Sequence, residues 1–337
     1  MLEFAQRALE PCGITDPAIP TLPAVLDPVV LSRQLRGALP RQTRGLKDIE
    51  VRLLRHHPGK RCVLEVTWRT ADATHSLIGK VYAKNRSDVY RVMDELRRAG
   101  LGPHEAFSIP QPTAYLEALQ LLLQERVAGR PATESLLCDD ECERARTAQR
   151  CATWLAKFHA VAPRIGPRFD LASHLLSAEQ WVRRLAALGE PFADKARALF
   201  TRLEALASEL PPADLCTIHG DYSHHQVILA LDRTVTIDWD RYRLADPAHD
   251  VARFIVGLQR LAVRCRGSMG ALDGPAAVFL EAYRVSAPSD PAPRLASHRA
   301  AIWLEHAKHD VHKRAPGWAD TAAAALEEGL RVLADGV

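Results

Sequence analysis

Two short polar blocks in the second half of the chain hold side chains suited to metal binding and proton transfer. The first, His219–Gln226, reads HGDYSHHQ, and the second, Ile237–Asp240, reads IDWD. Carboxylates at Asp221, Asp238 and Asp240, with the Gln226 amide, offer the hard oxygen ligands that Mg²⁺ prefers. A carboxylate that does not bind the metal can accept the proton of an attacking hydroxyl group.

Short apolar runs flank both blocks. The run CTIH leads into the first block, VILAL follows that block, and VTID leads into the second. Runs of this length, bounded by turn residues, are typical of strands. We therefore expect both blocks to lie at strand ends, where their polar side chains can converge.

The order of these motifs resembles that of one known superfamily. The pattern HGDxxxxQ, then IDWD, then the DPAHD of Asp246–Asp250, is similar to that of the aminoglycoside phosphotransferases and choline kinases, over about residues 45–310. The resemblance implies that Asp221 is the catalytic base and that Asp238 and Gln226 bind Mg²⁺. Most members have Asn at the position of Gln226, and a longer amide can still offer its carbonyl oxygen, although the exchange can also weaken metal binding. Whether Asp240 is a second metal ligand stays open.

The first part of the chain carries the residues that the resemblance assigns to the nucleotide. Lys80 lies among apolar residues in LIGKVY, and the resemblance makes it a ligand of the ATP phosphates, paired with a helical Glu for which Glu95 is the candidate and Asp94 the competitor. Backbone groups of Glu125 and Val127 would bind the adenine, by position alone. No glycine-rich GxGxxG loop is present, and a basic hairpin tip at residues 55–61 is a candidate cover for the phosphates.

The pattern of elements predicts an α+β fold. Alternating hydrophobicity predicts strands in residues 48–83 and again before Val127, with a helix between them whose apolar face is Val89, Val92, Met93 and Leu96. A helix is also expected near Asp27–Leu39, and the chain beyond Gly129 is mainly helical. This order, β, β, β, α, β, β and then helices, matches a bilobal protein-kinase-like fold, with an N-terminal lobe at 1–126 and a helical C-terminal lobe at 127–337.

Composition excludes several classes of protein. The net charge of +3 divides into +4 over residues 1–126 and −1 over the remainder, and the basic first part suits an anionic ligand. The chain lacks the dense basic stripe of a nucleic-acid binder. No apolar run approaches the length of a membrane span, and the first eleven residues lack the pattern of a signal peptide. Seven cysteines without a CxxC pair favour reduced thiols in a cytoplasmic protein.

Two further motifs have structural interpretations. Asp250 falls in the first turn of a helix, where its charge favours the helix dipole. The family resemblance implies that this residue braces the catalytic loop, with His219 as the contact. His306, His309 and His312 lie near one helical face, but their spacing drifts around the helix and no carboxylate-rich partner is evident, so we do not expect a metal site there.

The leading hypothesis is an ATP- and Mg²⁺-dependent O-phosphotransferase that acts on a hydroxyl of a small molecule such as an antibiotic, a sugar or an amino alcohol, with GTP in place of ATP left open. The expected protein is a monomer or homodimer. One alternative is a non-catalytic kinase-like nucleotide-binding module, and another is a metal-dependent phosphohydrolase of the His-Asp kind built on His249 and Asp250. The weak net charge of the second part disfavours a strongly cationic acceptor, unless residues such as Asp240 or Glu305 form a local acidic pocket.

Overall fold

The computed structural model describes residues 15–210 and 212–335, with Leu171 described by its backbone alone. Cys12 and the expectation of no signal peptide lie outside these residues. Among the described helices, none is long and apolar enough to cross a membrane. The chain divides into two compact units, up to Ala128 and from Gly129 onward, and the division expected after residue 126 lies in the coil that joins them.

The first unit is built on a five-stranded antiparallel sheet with the order β1-β2-β3-β6-β5. Its elements are α1 (Leu22–Leu26), α2 (Pro28–Ala38), β1 (Asp48–His57), β2 (Arg61–Arg69), β3 (Thr74–Tyr82), α3 (Ser87–Arg98), β4 (Phe107–Ser108), β5 (Pro112–Leu116) and β6 (Leu121–Glu125). The predicted order of three strands, a helix and two strands is thus confirmed, with one additional two-residue strand, β4.

Apolar alternation explains why this sheet forms. Val51 and Leu53 of β1 and Leu64 and Val66 of β2 are buried, and α1 and α2 pack onto the same core through residues such as Leu31. On α3 the predicted apolar face is confirmed, since Val89, Val92, Met93 and Leu96 are its buried residues. The removal of these side chains from water is the main force that holds the unit together.

The second unit is mainly helical and contains short strands that carry the polar blocks. Its elements are β7 (Arg130–Pro131), α4 (Ala132–Leu136), α5 (Glu141–Val161), β8 (Arg168–Phe169), α6 (Leu171–Ala186), α7 (Phe192–Glu209), β9 (Cys216–Ile218), β10 (Val227–Leu229), β11 (Thr234–Thr236), β12 (Arg243–Ala245), α8 (Ala248–Arg266), α9 (Asp273–Ser286), α10 (Ala292–Lys313) and α11 (Trp318–Asp335). The fold is therefore α+β, as the sequence predicts.

Two strand pairs position the polar blocks. β10 and β11 form an antiparallel hairpin in which Val227 pairs with Thr236, and β12 pairs antiparallel with β9. Helix α8 begins directly after β12 and is almost entirely buried on one side, with Phe254 and Leu258 in the core. The two blocks are thus held between short strands and the start of one buried helix.

Candidate active site

The loop His219–Gln226, here called the catalytic loop, joins β9 to β10. Gly220 adopts φ +78°, and a Cβ at this position would lie 2.2 Å from the carbonyl oxygen of Arg241. Only glycine fits this turn. Any other residue would be strained at this positive φ, and its Cβ would clash with the Arg241 carbonyl. The turn presents Asp221 at the surface of the second unit, with its side chain 31% exposed.

A fully buried carboxylate fixes the start of the catalytic loop. Asp250 accepts hydrogen bonds from the backbone N–H groups of His219 at 2.7 Å and Gly220 at 2.9 Å, and from His159 Nε2 at 3.3 Å. The expected bracing of the loop through His219 is confirmed. Burial raises the pKa of Asp250, but the hydrogen bond and charge of His159, the charge of His219 and the His219 N–H outweigh it and hold the pKa below its usual value.

The His219 ring ties the catalytic loop to the second polar block. Its Nε2 lies 2.9 Å from the carbonyl oxygen of Ile237, and its Nδ1 lies 3.3 Å from the backbone nitrogen of Asp221. A carbonyl only accepts, so Nε2 donates to Ile237, while Nδ1 faces the N–H of Asp221. One side chain thus sets the position of Asp221 relative to the strand end that carries Asp238.

Aromatic packing supports the same loop from below. Tyr222 is fully buried, and its hydroxyl donates a hydrogen bond of 2.7 Å to the carbonyl oxygen of Cys151 on α5. Its ring stacks on Trp154 at a centroid distance of 5.6 Å, and Trp154 also contacts Trp239 at 6.0 Å. This apolar base leaves the loop little freedom to move, because any displacement would open a cavity.

Gln226 and Asp238 lie at the same end of the β10–β11 hairpin. The carbonyl of Gln226 accepts a hydrogen bond of 2.8 Å from the N–H of Ile237, which continues the strand pairing to the residue before Asp238. Asp238 has φ +68° and ψ +63°, a left-handed conformation that Asp adopts more readily than most residues. The strand end therefore turns sharply at Asp238.

The donor set at this hairpin end fits a hard cation. Gln226 would supply an amide oxygen and Asp238 a carboxylate, while Asp221, the candidate proton acceptor, lies on the loop that precedes Gln226. Mg²⁺ binds through one or two protein carboxylates and keeps its other positions for water and phosphate oxygens. Among the described residues, His, Cys, Asp and Glu form no group of three or more arranged to hold a metal, and this includes the three histidines of α10.

Two arginines flank Asp221. Arg253 Nη1 lies 3.5 Å and Arg241 Nη1 3.7 Å from Asp221 Oδ1. Both also face Glu305 of α10, which pairs closely with Arg253 and lies 4.0 Å from Arg241. Burial raises the pKa of Glu305, but the charges of Arg253 and Arg241 lower it further, so the carboxylate stays ionised. The charge of Glu305 is thus offset by the two arginines that it faces.

Arg253 is a residue that the sequence interpretation missed. It is buried in α8, one helical turn after Asp250 and between apolar neighbours in the run VARFIV. A charged residue inside such a run is almost never buried without a partner. That pattern was the available signal, but its partner Glu305 is distant in sequence.

The residues proposed to contact the nucleotide lie in the first unit. Lys80 is buried on β3, where it pairs with Val63 of β2 and Leu122 of β6. Glu125 is the last residue of β6, and Val127 lies in the coil that follows. The Glu125 side chain accepts a hydrogen bond of 3.1 Å from the N–H of Gln111.

The helix α3 does not supply the predicted partner of Lys80 in this structure. Glu95 is exposed, and within residues 15–210 and 212–335 its carboxylate forms no ion pair. Asp94 pairs with Arg97 at 2.8 Å and also with Arg98. The Lys80–Glu95 pairing stays a prediction for the nucleotide-bound protein.

A family of known proteins accounts for this arrangement. Residues 66–296 match the model of the phosphotransferase enzyme family, which is more than half of the chain. The chain belongs to this family. The match spans both the strand of Lys80 and the catalytic loop, and no curated protein matches the sequence of this phosphotransferase.

Several solved structures have a fold similar to that of this phosphotransferase. A choline/ethanolamine kinase family protein from Mesorhizobium loti is 17% identical, with a TM-score of 0.60 over 90% of this chain and 93% of that one. Choline kinase LicA from Streptococcus pneumoniae is 15% identical, with a TM-score of 0.60 over 91% and 98%. A thermostable mutant of aminoglycoside phosphotransferase APH(4)-Ia, in a ternary complex with AMP-PNP and hygromycin B, is 15% identical, with a TM-score of 0.60 over 91% and 98%. The phosphotransferase therefore has the kinase-like fold that its motifs imply.

Proposed function

We propose that this phosphotransferase transfers the γ-phosphate of ATP to a hydroxyl group of a small molecule in a Mg²⁺-dependent reaction. The observation that carries the proposal is the bracing of the catalytic loop by Asp250, which presents a partly exposed Asp221 beside the hairpin end that carries Gln226 and Asp238. The APH(4)-Ia complex contains AMP-PNP and hygromycin B, which supports a nucleotide and a hydroxylated acceptor as the two substrates. GTP is the other nucleotide that the site would accept.

Asp221 acts on the acceptor. Its carboxylate accepts the proton of the acceptor hydroxyl as the oxygen attacks the γ-phosphorus, the bond from phosphorus to the β,γ-bridging oxygen breaks, and the nucleoside diphosphate leaves. Arg253 and Arg241 lie 3.5 Å and 3.7 Å from Asp221 Oδ1 and orient its carboxylate. The backbone contacts to Asp250 hold it in place during proton transfer.

Gln226 and Asp238 would hold Mg²⁺, which neutralises charge on the phosphate oxygens when bound. In the first unit, Lys80 would contact the phosphates, and the backbones of Glu125 and Val127 would contact the base. Lys80 is buried on β3, where an ammonium group is stabilised by anionic groups such as phosphates, and this burial supports its assignment. The family to which the chain belongs transfers phosphate, so the hydrolase alternative has no support from it.

The test is an Asp221→Asn variant, compared with Asp232→Asn in the exposed hairpin turn after β10. Purified proteins are assayed for ADP release with ATP and Mg²⁺ against a panel of hydroxylated metabolites and antibiotics, and for AMP-PNP binding by calorimetry with and without Mg²⁺. We expect Asp221→Asn to lower turnover by about 10²-fold or more while nucleotide binding persists, because a general base contributes about that much. Wild-type turnover in Asp221→Asn would overturn the assignment, and nucleotide binding indifferent to Mg²⁺ would favour the non-catalytic module.

A further inference from the structure

Three arginines lie around the turn that carries Asp221. Arg241 and Arg253 contact its carboxylate, as described above, and Arg243 of β12 approaches from the backbone side of the same loop. Arg243 Nε lies 3.3 Å from the carbonyl oxygen of Arg241, and a Cβ on Gly220 would lie 3.0 Å from this Nε. The Arg243 guanidinium thus lies next to the residue that precedes Asp221.

Local charges do not balance around these arginines. Asp221 and Glu305 supply two carboxylates, and Arg253 and Arg241 engage both of them. Arg243 is the third cation, and in the described part of the chain no carboxylate lies within ion-pair distance of it. These five side chains therefore carry one positive charge in excess. The buried carboxylate of Asp250 also acts on Arg243, but it is engaged by the N–H groups of His219 and Gly220 and by the His159 ring.

The setting of Arg243 is pre-organised for a ligand. Its guanidinium lies over the Phe169 ring, 4.1 Å from the centroid, and the residue is half-buried. Burial is the largest cause that lowers its pKa, followed by the charges of Arg241 and Arg253. A stacked guanidinium with spare N–H groups matches the planar geometry of a carboxylate or the oxygens of a phosphate.

We propose that the acceptor of this phosphotransferase carries an anionic group, a carboxylate or a phosphate ester, which binds to Arg243 while the neighbouring hydroxyl faces Asp221. The inference rests on the proposed function, since it names the acceptor class for the same site. An anion at Arg243 neutralises the excess positive charge, whereas an ammonium group there would be repelled by three arginines. The site therefore selects against polycationic aminoglycosides and favours hydroxy acids or sugar phosphates.

The first experiment measures anion binding without turnover. Inorganic phosphate is titrated by calorimetry at low ionic strength into the protein saturated with AMP-PNP and Mg²⁺, so that the nucleotide phosphates do not compete. We expect saturable binding that Arg243→Gln weakens by about tenfold and that Arg243→Lys partly restores, because a charged donor contributes about that much. Arg314→Gln is the matched control, since Arg314 also lies over an aromatic ring, that of Trp318, and should bind phosphate as the wild type does.

The second experiment distinguishes the two anionic groups. ADP release is measured with glycerol, glycerate, glycerol 3-phosphate and 3-amino-1,2-propanediol, which share vicinal hydroxyls and differ in charge. The proposal is supported if the KM is lower for glycerate or for glycerol 3-phosphate than for glycerol and if Arg243→Gln removes this difference. The substrate with the lower KM then shows whether the anionic group is a carboxylate or a phosphate. Preference for the amine, or phosphate binding that Arg243→Gln leaves unchanged, overturns it. If none of the four is phosphorylated, the phosphate titration decides.

The outcomes separate this proposal from the proposed function. Phosphate binding through Arg243 in a protein that phosphorylates no acceptor would overturn the function and leave the anion site. Phosphorylation of a neutral or cationic acceptor that depends on Asp221 but not on Arg243 would leave the function and overturn the anion site.

Discussion

Asp250 Oδ2 accepts a hydrogen bond of 2.7 Å from the backbone N–H of His219, and both residues are fully buried. A buried carboxylate so placed is stabilised only by its donors, because no water can replace them. The contact therefore couples the stability of the second unit to the shape of the catalytic loop. It connects the first turn of α8 to the strand end that leads to Asp221.

Replacing Asp250 by Asn tests this coupling. The amide keeps the shape of the side chain but loses the charge and turns one acceptor into a donor facing N–H groups. We expect the free energy of unfolding to fall by about 3 kcal/mol, as for other broken buried pairs, and turnover to fall with it. Urea unfolding followed by circular dichroism measures the effect. Asp214→Asn is the control, because the Asp214 side chain is 80% exposed and its ion pair is the surface pair with Arg164. Equal unfolding midpoints for the two variants would refute the role of Asp250.

Gly220→Ala is expected to distort the catalytic loop. Gly267, the matched control, has a similar φ of +73° at the end of α8, but a Cβ there meets nothing within 4 Å. Gly267→Ala should cost about 1 kcal/mol, which is the ordinary penalty for a left-handed alanine. Gly220→Ala adds a clash with the Arg241 carbonyl, so its cost should exceed that of the control and transfer activity should fall sharply. Calorimetric unfolding and ADP release measure both, and a cost equal to that of Gly267→Ala would show that the close approach is absent in solution.

Lys80→Met tests the nucleotide assignment of the first unit. Met fills the same buried volume without charge, so the sheet should remain folded while binding of AMP-PNP with Mg²⁺ weakens by about tenfold or more, as expected for loss of a phosphate contact. Lys84→Met, at an exposed position just past the same strand, should bind as the wild type does. Calorimetric titration gives both dissociation constants. Unchanged binding in Lys80→Met would remove Lys80 from the nucleotide site.

Buried histidines should make the protein less stable as the solution is acidified. Burial lowers the pKa of His174 to about 4 and that of His306 to about 3. The unfolded chain holds these groups near pKa 6.5, so below this pH it binds more protons than the folded chain does. The contribution to stability is complete above pH 6.5 and is lost as the pH falls toward 4, by up to about 1.4 kcal/mol per pH unit for each histidine.

Urea unfolding at pH 7.5, 6.5 and 5.5 gives this slope directly. His174→Phe keeps the ring packing against Phe169 and Trp181. It should lower the slope of the unfolding free energy against pH by the contribution of the one proton that His174 binds in the unfolded chain. His312→Gln, at an exposed position, should leave the slope unchanged. An identical slope in His174→Phe would mean that this ring is protonated or solvated in the folded protein.

Much of the fold could be predicted from the sequence, because each strand or helix is indicated by the pattern of residues within it. Alternation of apolar residues located β1, β2 and β3, and the spacing of Val89, Val92, Met93 and Leu96 located α3. The motif HGDxxxxQ placed Asp221 and Gln226 at the end of a short strand, and the helix start at Asp250 indicated the brace. Each of these signals lies within a few residues or in one short motif.

The charge pattern around Asp221 could not be predicted, because it depends on packing between distant elements. Arg253 on α8 meets Glu305 on α10, and Arg243 on β12 stacks on Phe169 of β8. Each contact joins segments that no local pattern relates, and the net charge of −1 for residues 127–337 averages over them. The net charge of these residues therefore gave no sign of the three arginines around the turn of Asp221.

The tryptophans packed beneath the catalytic loop provide an intrinsic fluorescence signal for that loop. Trp239 lies 4.9 Å from the His219 ring and close to Trp154, so its fluorescence senses the loop that carries Asp221. Among the six tryptophans of the chain, the difference spectrum between wild type and Trp239→Phe isolates this signal. Binding of the acceptor can thus be followed in a stopped-flow instrument, in real time and without an attached dye.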